Sequence, residues 1–284
     1  MKCNLCPRGC LVDRNEKSGF CGQQNLKIAN YGLFHWEEPC ISYEKGSGAI
    51  FFSGCSLKCV FCQNYEISSQ NVGQEITVNN LAKIFEELDA VADNINLVNP
   101  THFSDKIIEA LKIYKPHVPV VYNTHGYELE SEIIKLAAFV DIFLTDLKYY
   151  DNALAEKLSG AKNYFQIASK AIDKMIVLKP NKFEGDKMTQ GVIIRHLILP
   201  NHTDDSKRIL EHIKNSHPDA IISLMGQYIP CGKASLFADI NRKLTAEEYD
   251  DVTDYAYHLG LDGYMQELSS ADEMFIPKFS NKVI

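Results

Sequence analysis

Short apolar runs alternate with amphipathic stretches along most of this chain. The apolar runs, which predict β-strands, are Ala49–Ser53, Ile95–Val98, Val118–Tyr122, Val140–Leu144, Met175–Leu178, Val192–Leu199 and Ala220–Met225. The amphipathic stretches between them, which predict helices, are Val78–Ala92, Ser104–Tyr114, Leu129–Ala138, Asn152–Leu158, Asn163–Lys174 and Asp204–Asn215. Repeated strand and helix units are typical of a parallel sheet covered by helices. We therefore predict an α/β fold, a partial (β/α) barrel, over residues 41–284.

Residues 1–40 differ in character from the rest of the chain. They are rich in Cys, Gly and charged residues, and they show no sustained strand or helix period. A bound metal would have to supply much of their order. We therefore expect a small Cys-rich metal-binding module in front of the barrel.

Seven of the nine cysteines form two tight clusters within the first 62 residues. Many cysteines in a small secreted domain indicate disulfides, but cysteines clustered at ligand spacing indicate metal in a reducing cytosol. Cys40 and Cys231 lie outside both clusters, and we expect each to be a small buried apolar residue.

The second cluster follows directly after the first predicted strand. Cys55, Cys59 and Cys62 form a CxxxCxxC motif. A structural zinc site needs four protein ligands, whereas a four-iron cluster held by three cysteines has one iron without a protein ligand. Such an iron can bind a substrate or cofactor. Three close cysteines alone fit a structural metal about as well, but Phe61 before the last cysteine and the strand and helix pattern behind the motif favour a catalytic cluster.

Polar or turn residues follow four of the predicted strands. These segments are 99–101, 123–126, 146–148 and 227–228. Functional groups in parallel α/β folds lie at the carboxyl ends of the strands, so we expect the four segments to converge on one barrel mouth. Among the histidines, His102 and His125 are the best placed to face that mouth.

The first cluster supplies four thiols from one short loop. Its members are Cys3, Cys6, Cys10 and Cys21. Four such ligands suit a closed tetrahedral site, which would hold either a structural zinc or a second iron–sulfur cluster that relays electrons. Redox disulfides are a third and weaker interpretation, because four thiols this close in the cytosol normally hold metal.

The whole pattern resembles the radical S-adenosylmethionine (SAM) proteins described as homologues of the pyruvate formate-lyase activating enzyme. The segments that carry the resemblance are 37–39, 46–55, 62–68, 99–102, 122–124, 146–149, 195–200 and 223–225. The resemblance implies that Cys55, Cys59 and Cys62 hold a 4Fe-4S cluster to which SAM binds. It also implies reductive cleavage of SAM to a 5′-deoxyadenosyl radical, which abstracts hydrogen from a substrate.

The same resemblance implies which other residues contact SAM. Phe61 matches the aromatic residue beside the adenine, and Asn64 matches an Asn that follows the cysteine motif. Asp146 and Lys148 match the Asp-x-Lys that holds the carboxylate region of the cofactor and a nearby cation. Arg195 lies within an apolar predicted strand, where its charge needs a partner such as the cofactor carboxylate.

Three places depart from the family pattern. The second predicted strand ends without the Gly-Gly-Glu that grips the cofactor amine in many relatives. The third ends in Asn-Thr instead of the Asp-Thr of a monovalent-cation site, and a late His that touches the cofactor is replaced. The residues that stand at these places, and that we expect to contact the cofactor, are Asn99, Thr101, Asn123, Thr124, Gln227 and Tyr228.

Charge and hydropathy restrict the classes of partner that we expect the protein to bind. The formal net charge is −8, and Lys and Arg are spread along the chain, so no basic patch predicts nucleic acid or an anionic membrane as a partner. No apolar run approaches the length of a membrane span, and residues 1–10 lack the apolar core of a secretory signal. We expect a cytoplasmic protein that receives electrons from a donor such as flavodoxin or ferredoxin.

Three functions remain open from the sequence. By resemblance, the first is formation of a radical on a glycyl residue of a partner enzyme. The second is radical modification of another peptide or of a small metabolite. The third is a non-catalytic iron–sulfur or zinc scaffold, which would release no 5′-deoxyadenosine when reduced.

Overall fold

The computed structural model describes residues 2–270 and residue 279. The β-strands in this part of the chain are β1 (Lys27–Phe34), β2 (Ser47–Phe52), β3 (Gln74–Glu75), β4 (Asn94–Val98), β5 (Val120–Thr124), β6 (Ile142–Asp146), β7 (Lys182–Glu184), β8 (Lys187–Leu197), β9 (Ile221–Met225) and β10 (Asp262–Gln266). The α-helices are α1 (Tyr65–Ser68), α2 (Val78–Asp89), α3 (Ser104–Ile113), α4 (Glu130–Leu136), α5 (Asn152–Ser159), α6 (Tyr164–Leu178), α7 (Thr203–Ser216) and α8 (Ala246–His258). Within the described ranges, no helix combines the length and apolarity needed to cross a membrane.

The strands form one sheet in the order β10-β9-β8-β6-β5-β4-β2-β1-β3, with β7 added beside β8. Neighbours from β10 to β2 are parallel. The pairs β1 with β2, β1 with β3, and β7 with β8 are antiparallel. Because β10 and β3 lie at opposite ends of this order, the barrel is not closed in the described residues. The predicted α/β partial barrel is confirmed.

Helix α2 shows how the sequence forms the outer helices. The Thr77 side chain accepts a hydrogen bond from the N–H of Asn80, and the Asn80 side chain accepts one from the N–H of Thr77. The buried side chains of the helix are Leu81, Ala82, Ile84, Phe85 and Leu88. Their spacing places them on one face, which packs on the sheet. Burying each large apolar side chain stabilises the fold by about 1.5–3 kcal/mol.

The prediction of a strand at Met175–Leu178 is wrong. These residues form the last turn of α6. Ala168, Ala171, Ile172 and Met175 are buried, whereas Val177 is 75% exposed, which is the burial pattern of a helix and not of a buried strand. A run of four apolar residues does not distinguish the two structures, and the helix that precedes it continues through it.

The first 40 residues also contain a strand that the sequence did not predict. Strand β1 pairs with β2 in the main sheet, from Ile28 opposite Phe52 to Phe34 opposite Ser47. A register shift between Ile28 and Asn30 interrupts the pairing. Because such a bulge breaks the alternation of side chains, no period of two is visible in this segment.

Two further elements lie beyond Met225, the last residue of the predicted strands. Helix α8 begins with a capping box between Thr245 and Glu248, which is a sequence signal for the start of a helix. Strand β10 pairs in parallel with β9 and contains two exposed residues at its start. An edge strand that is only partly buried does not show the apolar run from which strands were predicted.

The loop at residues 35–46, here called the floor loop, crosses the inner side of the sheet. Cys40 and Ile41 pack against Val121, Ile142 and Ile193, which belong to β5, β6 and β8. The Cys40 carbonyl accepts a hydrogen bond from the N–H of a β8 residue at 2.8 Å. As predicted, Cys40 is a buried apolar residue, whereas the same prediction is wrong for Cys231, which is only half-buried. The loop therefore closes the lower part of the open barrel.

Candidate active site

The central cysteine motif lies in the loop that follows β2. Cys55 and Cys59 are buried and Cys62 is half-buried. Burial, and to a lesser extent the neighbouring thiols, raises the pKa of Cys55 to about 12 and that of Cys62 to about 11. The Ser159 hydroxyl lies 3.1 Å from the Cys59 sulfur. Neighbouring thiols with pKa values this high ionise readily only when a metal centre takes up their charge, which suits a cysteine-held cluster.

The loop opens onto a cavity of about 710 Å³ at the carboxyl ends of the parallel strands. The predicted site residues that line this cavity are Cys55, Cys59, Phe61, Cys62, Asn64, Asn99, Asn123, Thr124, His125, Asp146, Lys148, Arg195 and Gln227. They come from the loops or ends of six neighbouring strands. The structure therefore brings together at one mouth the four polar segments on which the prediction depended.

A row of four ionisable side chains, here called the charged row, runs along the cavity wall. Lys148 donates to one oxygen of Asp146 at 2.6 Å, and Arg195 donates to the other at 2.9 Å. A second guanidinium nitrogen of Arg195 lies 3.8 Å from a carboxylate oxygen of Glu37. Burial would raise the pKa of Asp146, but the charges of Arg195 and Lys148 outweigh it and hold this pKa below its ordinary value. Asp146 is therefore ionised near neutral pH.

The end of β5 adds polar groups to the same wall. The Asn123 side chain accepts a hydrogen bond from Arg195 at 2.6 Å. His125 accepts from the N–H of Tyr127 through Nδ1, so its Nε2 carries the proton that faces the Ser56 hydroxyl at 2.8 Å. Burial lowers the pKa of His125 to about 3, so this imidazole is neutral.

Two amide side chains offer acceptors at the cavity. Asn64 and Asn99 both line it, and the side-chain oxygen of each is buried with no hydrogen-bond partner in the described part of the chain. The Asn99 nitrogen is held by the carbonyl of Gly54 at 2.5 Å, which fixes the amide in place. Two orphaned acceptors beside three thiols fit a ligand that carries an amino group next to a metal-binding group. The residues present thus fit a 4Fe-4S cluster together with SAM.

Three residues singled out in the sequence do not line the cavity. Thr101 donates its hydroxyl to the buried carboxyl of Glu128 at 2.6 Å. The Tyr228 hydroxyl donates to the carbonyl of Ile240 at 2.7 Å, while its ring packs on Phe61 at 5.8 Å. The ring of His102 contacts the carbonyl of Ser53 at 2.7 Å through Nε2. These side chains support the mouth from behind instead of facing it.

Three acidic residues near the mouth had no predicted role. Glu37 and Glu38 line the cavity from the floor loop. Glu128 lies behind the wall, and burial raises its pKa to about 7. Glu37 and Glu38 belong to a segment that carries the family resemblance, but adjacent acids in a loop give no signal of burial. Only the path of the floor loop across the barrel brings them to the cavity.

The amino-terminal cysteines lie near one another beside the central motif. Burial, with smaller contributions from Cys10 and Cys21, raises the pKa of Cys6 to about 12. Arg8 joins this loop to the central one by donating to the carbonyls of Ser56 at 2.7 Å and Ser159 at 2.8 Å. No disulfide joins any of the nine cysteines. In residues 2–270 and 279, no three His, Cys, Asp or Glu side chains surround a single ion, those of the central motif included, and a metal on the amino-terminal loop stays a prediction.

Comparison with known proteins agrees with this site. The sequence model of the Radical SAM superfamily matches residues 49–213. An uncharacterised protein of Methanocaldococcus jannaschii, MJ0674, is 33% identical over 270 residues, which cover 92% of this chain and 75% of that protein. The pyruvate formate-lyase-activating enzyme of Clostridium pasteurianum is 26% identical over 171 residues, which cover 56% of this chain and 65% of the enzyme. This chain thus matches slightly less than two thirds of that enzyme.

A solved structure gives the same fold. SuiB of Streptococcus suis superposes with a TM-score of 0.51 at 14% identity, over 77% of this chain and 49% of SuiB. The open parallel barrel and the three-cysteine loop at its mouth define a cofactor-dependent barrel protein. With the match over residues 49–213, the chain belongs to the radical SAM superfamily.

Proposed function

We propose that this protein is a radical SAM enzyme that abstracts hydrogen from its substrate, with a peptide or protein as the first candidate. The observation that carries the proposal is the placement of Cys55, Cys59 and Cys62 at one cavity with the charged row. A scaffold that only holds metal needs neither a cavity of about 710 Å³ nor ionised side chains along its wall.

We assign the three cysteines to the cluster and the adjoining side chains to SAM. Lys148 and Arg195 would face the cofactor carboxylate, and the free oxygens of Asn64 and Asn99 would accept hydrogen bonds from amino groups. Phe61 would pack beside the adenine. When bound, the cluster and SAM supply the radical that removes a hydrogen atom from the substrate.

Other side chains of the protein hold these proposed cofactor-binding residues in place and exclude water from the site. Tyr149 and Tyr228 pack against Phe61 with ring centroids 6.4 and 5.8 Å away, and both tyrosines are buried. Asp146 holds Lys148 and Arg195 at a fixed separation, because each donates to a different oxygen of one carboxylate. A buried wall of this kind protects a reactive intermediate from water.

The substrate class rests on the relatives. The Clostridium pasteurianum relative is a pyruvate formate-lyase-activating enzyme, and one SuiB structure holds the precursor peptide SuiA. A glycyl residue of a partner enzyme is therefore the first candidate, and another peptide or a small metabolite is the second. An electron donor such as flavodoxin or ferredoxin would reduce the cluster.

We also propose that the cysteine-bearing part of residues 1–40, which precedes β1, forms a metal-binding module. Cys3, Cys6, Cys10 and Cys21 would hold zinc or a second iron–sulfur cluster. Arg8 lies between these cysteines in the sequence and binds carbonyls of the central loop and of α5, so the module would stabilise the cavity mouth.

The proposed function is tested by replacing Cys59 with Ala in anaerobically reconstituted protein. We expect the variant to lose about four irons, as in one cubane cluster, and all SAM-derived 5′-deoxyadenosine. Cys231→Ala is the matched control, because Cys231 lies outside both cysteine clusters and does not line the cavity. Normal 5′-deoxyadenosine release by Cys59→Ala would refute the assignment. In the parent protein, deuterium transfer from labelled candidate peptides into 5′-deoxyadenosine would identify the substrate.

A further inference from the structure

Glu37 and Glu38 form a pair of carboxyl groups at the floor of the cavity. Both line it, and Glu38 is only 3% exposed. One carboxylate oxygen of Glu38 is buried and has no hydrogen-bond partner among the residues that the structure describes. A buried carboxylate oxygen without a donor is costly, so an oxygen left in this state at a cavity wall indicates a ligand that donates to it.

The charged row shows which end of the cavity the pair occupies. Lys148 lies at the cysteine end, where its charge offsets a small part of the burial-driven rise in the pKa of Cys62. From there the row passes through Asp146 and Arg195 to Glu37, with successive contacts of 2.6, 2.9 and 3.8 Å. A molecule that starts at the cysteines and follows this wall therefore ends at the two glutamates.

The charges along the row bear on what the glutamate pair can bind. Lys148 and Arg195 carry two positive charges against the single carboxylate of Asp146, and the pair adjoins this row through the contact of Glu37 with Arg195. Burial, and next the proximity of Glu38, raises the pKa of Glu37 to about 8, so Glu37 keeps its proton at neutral pH until a cation beside the pair favours its ionisation.

We propose that the Glu37 and Glu38 pair is the substrate-recognition site of this cavity and takes a cationic donor group, the ammonium of a lysine or the guanidinium of an arginine. The inference rests on the proposed function, because it places SAM at the cysteine end and the substrate at the floor. Trp36 and Tyr264 line the cavity beside the pair and offer aromatic surface to the same cation. A substrate peptide with a basic side chain donates to the free oxygen and stabilises the ionised form of Glu37 at the same time.

Trp36 supplies a direct reporter for the test, because it is the sole tryptophan of the chain and adjoins Glu37. The protein is reconstituted anaerobically with its cluster and saturated with SAM, and Trp36 fluorescence is followed during titration. The probes are acetyl-Gly-Lys-Gly-amide, acetyl-Gly-Arg-Gly-amide and two controls that carry norleucine or Glu in the middle. We expect saturable binding of the Lys or Arg peptide at least about tenfold tighter than that of both controls, the effect of one charge-assisted hydrogen bond.

Variants of the two glutamates test whether these residues cause the preference for cationic peptides. Glu37→Gln/Glu38→Gln is expected to lose about tenfold or more in affinity for the cationic peptide, with the norleucine peptide unaffected. Glu44→Gln is the matched control, because Glu44 is an exposed acid of the same loop outside the cavity. If the double variant retains less cluster iron than the parent, Glu38→Gln alone is used, since Glu38 carries the unpartnered oxygen.

Several results would overturn the inference. These are equal binding of the norleucine or Glu peptide, absence of binding by every peptide, competition of the cationic peptide with SAM, and full affinity in the Gln variants. The proposed function fails separately, when the parent protein does not cleave SAM. A parent that cleaves SAM but shows no preference for cationic peptides would thus reject only the recognition site.

Discussion

At the scale of single residues, Asp146 holds the cavity wall together. It lies between Lys148 and Arg195, and both of these cations are largely buried. Their charges keep the pKa of Asp146 low, so the carboxylate persists at neutral pH. Removing it leaves two buried cations next to each other, which costs far more than losing an exposed ion pair.

We therefore expect Asp146→Ala to lower the free energy of unfolding by about 3–5 kcal/mol. Lys148→Ala removes a cation without leaving like charges together, so we expect it to keep the cluster iron and mainly weaken SAM binding. Urea unfolding and equilibrium dialysis with labelled SAM measure the two effects. Asp173→Ala, which breaks a pair whose Asp side chain is 53% exposed, is the control and should cost at most about 1 kcal/mol. Equal costs for Asp146→Ala and Asp173→Ala would contradict the prediction.

At the scale of elements, the turn after β5 is packed against the end of β6. Gly126 has a φ of +79°, and a Cβ atom there would overlap the Asp146 carbonyl oxygen. The Tyr164 hydroxyl lies 3.0 Å from that oxygen and 2.8 Å from the His125 carbonyl oxygen, and its one proton bridges the two. The position of Asp146 thus depends on a glycine in the neighbouring loop.

Gly126→Ala is expected to lower the free energy of unfolding by well over the ~1 kcal/mol that left-handed backbone strain alone costs. It should also weaken SAM binding, because the clash displaces the strand end that carries Asp146. Gly185→Ala separates the two causes, since Gly185 has a φ of +61° and a Cβ atom added there would meet nothing within 4 Å. If both variants lose the same stability in urea, the close approach to Asp146 has no energetic role.

The amino-terminal loop is a second element with its own prediction. Replacing Cys3, Cys6, Cys10 and Cys21 by Ser should remove one metal equivalent and keep the SAM-induced spectral change of the central cluster, because each cysteine motif has its own ligands. Loss of zinc would indicate a structural site. Loss of iron would indicate an electron relay, and turnover with a physiological reductant should then fall more than turnover with a strong chemical one. Equal metal content in the variant and the parent would reject the site.

At the scale of the whole molecule, buried titratable groups make stability depend on pH in two opposite ways. Burial lowers the pKa of His102 and His125 to about 3, so the unfolded chain binds more protons below their ordinary pKa of 6.5. Stability is therefore lost as the pH falls from about 6.5 to 3. Burial raises the pKa of Glu128 to about 7 and that of Glu37 to about 8, so the folded chain binds more protons above 4.5. Stability is therefore also lost as the pH rises from about 4.5 to 8.

The two effects offset each other between about pH 4.5 and 6.5, and we expect maximal stability there. Glu128→Gln should remove part of the loss between pH 5 and 7, on the order of 1–3 kcal/mol. The midpoint of urea unfolding, measured at pH values from 4 to 9, reports this slope. Glu130→Gln, which replaces an exposed acid two residues away, should leave the slope as in the parent. A parental slope in Glu128→Gln would show that this carboxyl does not retain its proton on folding.

The parts of the fold that sequence alone predicted are those in which local pattern and environment agree. Strands β4, β5, β6 and β9 are buried on both faces, so continuous apolar runs mark them within a few residues. Met175–Leu178 shows the limit of this rule, because a helix that faces the sheet on one side contains the same residue types. Strand β1 shows another limit, since its bulge removes the alternation that marks a strand.

The candidate site likewise has one part that the sequence predicted and another that only the structure revealed. The spacing of Cys55, Cys59 and Cys62, and the polar residues after each buried strand, could be recognised from the chain alone, because parallel strands bring their carboxyl ends to one edge. The positions of Glu37 and Glu38 could not, since they depend on a loop that crosses the barrel and packs through Cys40 and distant strand residues. Contacts between residues far apart in sequence leave no local pattern, and the carboxyl groups that we propose for substrate recognition therefore emerged only from tertiary packing.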